Sequence, residues 1–404
     1  MKILVVATKA PWPPEDGGRL LLLHTLEGLA AAGHRVTLVA PVDPARFDVG
    51  LVASALGPLC TPRLVAARPA GRLPTLARAV SRGLPLSVAR HSLAAVRREV
   101  ERLLAAERFD LVHAEQLQAL PQVPRQAAPP VVLRAQNVES ALWAAAARRP
   151  GGGVGSGALL AIEARRLAAW EGRAVRRTAA TVALTPEDAA RLAGLAGVPE
   201  ERAAGKVHAV AAPFPASLPP GGAALAGSPA VVVLGSAGWL PNADSAAWFQ
   251  NEVWPAVRGV LPGAVLHLFG AAEGGDPAPG VALHPAPGDS ADAFPLGAIL
   301  AVPLRIASGV RMKILEAWAR RVPVVGTPEA VSGLGAEDGR ELLVAGDPAG
   351  FAAALARLHR EPALVRSLVA AGRAALRERH DPATVTARLV AIYEKVRTPG
   401  GAGR

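Results

Sequence analysis

Short apolar runs rich in β-branched residues alternate with helix-period patterns along almost the whole chain, and no other feature constrains the fold as much. Residues 2–8 (KILVVAT) lead through a loop to a helical pattern over 19–32, Gly33 stops it, and a second run, RVTLVA, follows. Runs at 109–115 (FDLVHAE), 131–137 (VVLRAQN) and 180–185 (ATVALT) then alternate with helical stretches at about 73–107, 157–178 and 186–196. The last stretch has Thr185 placed as N-cap and Pro186 at the first helical position. Strands that are apolar throughout, separated by helices, predict a parallel sheet covered on both faces.

The segment 213–229 (PFPASLPPGGAALAGSP) interrupts this pattern with Pro, Gly, Ala and Ser. It then resumes as AVVVLGS, a helix from Pro241, AVLHLFG, VALH, AILAVPL, a helix from Gly309 and VPVVGT. Two doubly wound α/β domains are therefore expected, 1–205 and 206–381, since a 404-residue chain is too long for one core. The last helical stretch, about 382–397, has no strand after it and is expected to return, with the rest of 382–404, to the first domain. The run GGGVGSG at 151–157 reads as a mobile loop.

With 51% hydrophobic and 19% charged residues the chain is too apolar to be disordered, and its apolar runs are too short for a membrane span. Cys60 is the single Cys and the N-terminal run is strand-like rather than a signal-peptide core, so a cytoplasmic location is expected. The net charge of +11 is uneven: residues 1–205 carry 26 basic and 17 acidic side chains, residues 206–404 carry 18 and 16. The first half is thus the half suited to an anionic partner. Its Arg-rich stretch 72–108, broken by Gly83 and Pro85, reads either as a solvated helical face or as a peripheral contact with the inner face of an anionic membrane. No nucleic-acid motif accompanies the basic balance, and the nine His show no metal-ligand spacing.

Ligands of open α/β sheets bind at the carboxyl ends of the strands, so two such domains in tandem are expected to share one cleft. The loop after the first strand (KAPWPPEDGGR, 9–19) lacks the G-x-G-x-x-G of dinucleotide binders. It places Gly17 and Gly18, followed by Arg19, directly before a helix. Bare N–H groups there can meet a phosphate or a polar acceptor, or the pair is a tight turn.

The densest constellation is 302–317, VPLRIASGVRMKILEA. A strand ends near Arg305, small residues turn the chain at Ser308 and Gly309, and a helix begins that carries Arg311, Lys313 and Glu316. Gly309 would admit a diphosphate to free N–H groups, Arg305 and Lys313 would neutralise it, and Glu316 would accept the hydroxyls of a ribose. The plainer alternative makes Ser308 an N-cap and Lys313 and Glu316 a surface pair.

In combination, four segments resemble the retaining family 4 (group 1) glycosyltransferases: residues 2–41, LRAQNVES at 133–140, LGSAGWLPNADSAAWFQNEVWP at 234–255 and VPLRIASGVRMKILEAWARRVPVVGTPEAVSGL at 302–334. The fold of that family is GT-B, two Rossmann-like domains facing across a cleft, and the sequence looks closest to enzymes that build bacterial exopolysaccharide. The resemblance implies transfer of a sugar from a UDP- or GDP-linked donor to a hydroxyl of a glycan or lipid-linked acceptor, with retention and without metal or cofactor. Arg305, Lys313, Glu316 and Gln136 would then serve catalysis. Gly235, Ser236, Asn242, Ser308, Gly309, Val310 and Arg311 would complete the donor side, and Gly17, Gly18, Arg19, Asn137 and Glu139 the acceptor side. Three departures stand out. Ser308 replaces the first Glu of the family's Glu-x7-Glu motif, Gln136 replaces a His, and the loop 235–242 carries no cation. They motivate a different reading, a catalytically weak or inactive nucleotide-binding partner of the same fold. A sugar-nucleotide epimerase, converting donor without acceptor, is a further alternative.

Overall fold

The computed structural model describes residues 1–127, 129–148, 154–235, 240–270 and 278–397. The chain forms two compact units. The first comprises Met1–Pro213, Ser308–Val310 and the chain from Pro382 onward, and the second Phe214–Ala307 and Arg311–Asp381.

In the first unit the elements run β1 (Lys2–Val6), α1 (Gly17–Ala31), β2 (Arg35–Val42), α2 (Val49–Leu56), β3 (Thr61–Ala66), α3 (Arg72–Ser81), α4 (Leu86–His91), α5 (Ala94–Ala106), β4 (Leu111–Glu115), β5 (Val131–Ala135), α6 (Glu139–Ala147), α7 (Val154–Arg177), β6 (Ala180–Ala183), α8 (Pro186–Ala196), α9 (Glu200–Lys206) and β7 (Val207–Ala209). The seven strands lie in the order β3-β2-β1-β4-β5-β6-β7, all pairings parallel. β1 shows why the run had to be apolar throughout. Ile3 and Val5 pack into one core with Leu22, Leu26 and Leu29 of α1, while Leu4 and Val6 point to the other face and meet Val96, Val100 and Leu103 of α5.

The second unit runs β8 (Ala230–Leu234), α10 (Leu240–Trp248), α11 (Trp254–Val260), β9 (Val265–Phe269), β10 (Val281–His284), β11 (Ala298–Val302), α12 (Met312–Ala319), β12 (Val324–Gly326), α13 (Pro328–Val331), β13 (Leu343–Val344), α14 (Pro348–Arg360) and α15 (Pro362–Arg379). Its strand order is β10-β9-β8-β11-β12-β13, again all parallel. Trp248, Phe249, Trp254 and Phe351 fill the core on one face, with the Phe351 ring edge-on to both Trp248 and Phe249. The last helix, α16 (Pro382–Arg397), packs on α1 of the first unit through Val385, Leu389, Ile392 and Tyr393.

Several expectations shift. The second unit opens at Phe214 rather than at 206, because Val207–Ala209 pairs with β6 and so completes the first sheet. β3 escaped notice because it is a half-exposed edge strand containing Pro62, which an edge tolerates and a central strand does not. The stretch read as helical over 73–107 is three helices, divided first where Gly83 takes φ +61° and Pro85 precedes α4, and again at Ser92 and Leu93, whose extended backbone separates α4 from α5. Of the GGGVGSG run, 151–153 lie outside the described residues, and α7 takes in the rest from Val154. The helix expected from Gly309 starts at Met312, so 308–310 are loop.

Candidate functional site

Each sheet has one place where its strand order reverses, between β1 and β4 in the first and between β8 and β11 in the second. Loops that follow such neighbouring strands leave in opposite directions and open a crevice at their carboxyl ends. Gly17 and Gly18 follow β1 at the first of these places, Gly235 and Arg305 follow β8 and β11 at the second, and Gln136, Asn137 and Glu139 follow the next strand, β5.

In the second unit, β8 ends at Leu234. A Cβ on Gly235 would stand 2.6–2.8 Å from the Asn242 amide, so glycine is what lets Asn242 fold back over the strand end. Lys313, one residue into α12, points to the same spot. Its Nζ donates to Leu234 O and lies 3.5 Å from Asn242 Oδ1. Burial, with Arg311 adding to it, brings the amine down to about 8. Glu316, one turn further along α12, is buried, and its Oε1 accepts from Ser290 Oγ (2.6 Å) and Arg320 Nε (2.9 Å). Both contacts use the same oxygen. Arg305 follows β11 and is only partly exposed. It pairs with Asp244 (3.0 Å), and its guanidinium lies over the Trp248 ring 5.0 Å from the centroid. Arg311 is buried and donates to Ser332 O (2.9 Å), tying the start of α12 to the loop after α13. Ser236 lies outside the described residues.

In the first unit, Gly17 and Gly18 are the first two residues of α1 rather than a turn before it. Asp16 caps the helix by accepting from Gly18 N (2.9 Å) and Arg19 N (3.0 Å), and Lys9 Nζ holds the same carboxylate at 2.7–2.8 Å. Arg19 turns back to Ala10 O (2.8 Å) and the Phe47 ring. A Cβ on Gly18 would meet Gln136 Oε1 at 2.7 Å, so the backbone of α1 and the Gln136 side chain are in direct apposition.

Gln136 ends a chain of buried polar contacts. Its Oε1 accepts from Gln116 Nε2 (2.7 Å), and its Nε2 donates to Glu115 Oε1 (2.7 Å). Glu115 is clamped by Arg134 Nε (2.9 Å) and by His113 Nε2 (2.8 Å), and the other nitrogen of His113 meets Tyr393 Oη of α16 at 2.5 Å. Burial would push the Glu115 carboxyl up, but Arg134 and His113 outweigh it and hold the group at about 2. His113 is itself shifted down by burial, against the pull of Glu115. Gln116 sits at φ +72°, rare for a residue with a side chain, and its amide also accepts from Thr8 Oγ1 at 2.5 Å.

Asn137 and Glu139 follow on the loop into α6. The Asn137 amide nitrogen faces Gln136 O (3.1 Å) and Ser308 O (2.8 Å). Glu139 lies in the first turn of α6, and burial raises its carboxyl, partly offset by Gln118 and Asn137. Glu171 of α7 caps that helix, accepting from Glu139 N (2.6 Å) and from the Ser140 hydroxyl, and burial brings it up to about 7. Ser308–Val310 count with this unit. Ser308 Oγ donates to Asp188 (3.1 Å) and accepts from Val138 N (2.8 Å), and Gly309 N donates to Asp188 Oδ2 (2.8 Å). Ser308 is therefore not the N-cap of α12, and Gly309 has given its N–H to a carboxylate. Gly309 is obligatory twice over, at φ +72° and with any Cβ 2.0 Å from Gln136 O.

The sequence singled out the residues that carry charge in an apolar context, and the structure places Lys313, Asn242 and Gly235 together. It missed Asp16, Gln116, Glu171 and Asp188. Asp16 was findable as an N-cap candidate immediately before Gly17; the other three have no local signal. Among the described residues no group of three His, Cys, Asp or Glu is arranged to hold a metal ion.

Two doubly wound parallel sheets, each with its polar groups at the point of strand reversal, define an α/β protein of the GT-B fold. A family model for the glycosyl transferase 4-like domain matches residues 16–205 and one for glycosyl transferases group 1 matches residues 228–361. The chain belongs to the group 1, family 4 glycosyltransferases. Its fold is similar to that of sucrose-phosphate synthase from Thermosynechococcus elongatus (15% identity, 99% of each chain covered, TM-score 0.71). It is also similar to HepE of Anabaena, solved in complex with UDP-glucose (15% identity, 98% of this chain and 100% of that one, TM-score 0.60). A glycosyltransferase from Rickettsia africae aligns over 99% of both chains at 9% identity and a TM-score of 0.59. No curated protein sequence matches the chain.

Proposed function

We propose that this glycosyltransferase moves a hexose from a nucleoside diphosphate donor, UDP- or GDP-linked, to a hydroxyl of a glycan or lipid-linked acceptor in cell-surface or exopolysaccharide synthesis. Transfer proceeds with retention and without a metal ion. The observation that carries the reading is Lys313 at the end of β8, beside Gly235 and Asn242, with Glu316 one turn away. Lys313 and Arg305 stabilise the departing diphosphate, and Glu316 holds the ribose. The bond from the anomeric carbon to the diphosphate oxygen breaks as the acceptor oxygen bonds to the same face, and the acceptor's proton passes to that phosphate oxygen. Gly17, Gly18, Gln136, Asn137 and Glu139 serve the acceptor side, Gln136 by hydrogen bonding, since an amide cannot titrate. HepE, of like fold, was solved with UDP-glucose, which supports a nucleotide-sugar donor. A cytoplasmic place, peripheral to the inner face of the membrane, fits a lipid-linked acceptor.

A second reading, nucleotide binding without turnover, is favoured by Asp188, which holds Ser308 and the Gly309 N–H, and by Gln136, which both Glu115 and Gln116 hold. Thermal-shift measurements with UDP, GDP, ADP and their sugar conjugates test donor binding, because a ligand at 100 times its Kd adds about 2.7 kcal/mol to the folded state. A selective shift by one base, lost in Lys313→Ala and Glu316→Ala, is expected. Folded protein that responds to no nucleotide would refute the donor site. Donor consumption only in the presence of an acceptor separates transfer from the second reading.

A further inference from the structure

Residues 49–98 contain Arg63, Arg68, Arg72, Arg78, Arg82, Arg90, Arg97 and Arg98, and no Asp, Glu, Phe, Trp or Tyr. This segment lies wholly within the first unit. At its centre α3 is turned inside out for a surface helix. It buries Thr75 and Ala79, while Leu73, Leu76 and Val80 are 80, 54 and 77% exposed. Their spacing of three and four residues puts them on one stripe, clear of the buried one. Arg68, Arg72, Arg82 and Arg90 around it are exposed as well.

α7 is tied to the end of α3. Arg166 Nη2 donates to Leu84 O (2.6 Å) and Ala79 O (3.3 Å), and Glu163 accepts from Leu86 N, which fastens this part of α7 to the end of α3. On the same turns of α7, Leu159 and Ile162 are exposed.

We propose that the outer face of α3, together with Leu159 and Ile162 of α7, docks on an anionic phospholipid surface. Contiguous exposed aliphatic side chains mark an interaction site, and here every nearby exposed charge on residues 49–98 is positive. A second copy of the same face would set Arg against Arg. A nucleic acid would offer phosphate but nothing for three aliphatic side chains, and the segment has no Phe, Trp or Tyr on which a base could stack, its one imidazole, His91, being turned to Ser87 O. A lipid headgroup layer supplies phosphate at the level of the guanidinium groups and hydrocarbon just beneath for Leu73, Leu76 and Val80. The inference stands apart from the transfer reaction, because vesicle binding and nucleotide binding are separate measurements.

The test is co-sedimentation of the full chain with vesicles of phosphatidylglycerol mixed with phosphatidylcholine, against phosphatidylcholine alone. Binding to the anionic vesicles, weakened by salt, is expected. Leu76→Glu with Val80→Glu should reduce partitioning on the order of tenfold or more, and Arg72→Gln with Arg82→Gln by about fivefold per Arg. All four sites are exposed, so circular dichroism and the melting temperature should not change. No binding to anionic vesicles, equal binding to neutral ones, or undiminished binding by the double Glu variant would overturn the proposal. So would a solution dimer that the double Glu variant splits.

Discussion

Lys313 illustrates how a single side chain ties folding to ligand affinity. Its amine is brought to about 8 by burial, and an anionic diphosphate would raise it again. The lysine is thus charged below that value in the free protein and neutral above it. Nucleotide affinity should be full below about pH 8 and fall as pH rises past it. Lys313→Met should bind at least roughly tenfold more weakly and lose this pH dependence, which titration calorimetry across the range would reveal. Lys313, Arg305 and Glu316 were legible in the sequence because charge is conspicuous in an apolar strand-to-helix transition. Asp188 and Gln116 were not. The partners of Asp188 are Ser308 and Gly309, more than a hundred positions away, and the significance of Gln116 lies in its φ and in its contacts with Thr8 and Gln136.

At the scale of elements, the ends of β4 and β5 are locked by the Glu115–Arg134 pair, with His113 and Gln136 completing it. Glu115→Gln would leave a buried guanidinium without its carboxylate, and should cost about 3–5 kcal/mol. The sign with pH is fixed. Glu115 is held at about 2, below its unfolded value near 4.3, so its contribution is present above pH ~4.3 and is lost as pH falls toward 2. Acid unfolding of Glu115→Gln should therefore lack that part of the transition, as denaturant melts at successive pH values would show. Among elements, those with strong periodicity or a cap were readable, such as β1 with its two-sided burial and α8 with Thr185 accepting from Asp188 N and Pro186 behind it. β3, β7 and β13 were not: β3 is a half-exposed edge strand interrupted by Pro62, and strands of three and two residues have too few positions to show a period.

For the molecule as a whole, α16 is the element whose placement matters most. It lies at the far end of the chain yet completes the core of the first unit, with Leu389, Ile392 and Tyr393 packed against the face that holds α1, and Tyr393 meeting His113. Ending the chain at Asp381 would remove four buried apolar side chains, Val385, Leu389, Ile392 and Tyr393, and lay bare the core face they cover, a loss of about 1.5–3 kcal/mol for each large one, which is comparable with the whole stability of a domain. The truncated chain is expected to lose exchange protection in β1 and α1 while β8 and β9 keep theirs, a contrast that hydrogen exchange by mass spectrometry measures. The sequence by itself determined that there are two parallel, doubly wound sheets, and that cationic and small residues stand after β11, because hydrophobic period and strand-to-helix turns are local properties. Tertiary structure decided which of those polar groups are spent on one another. It paired Arg305 with Asp244, Gly309 with Asp188 and Tyr393 with His113, because a buried polar group takes whichever partner the folded chain brings beside it, however distant in sequence.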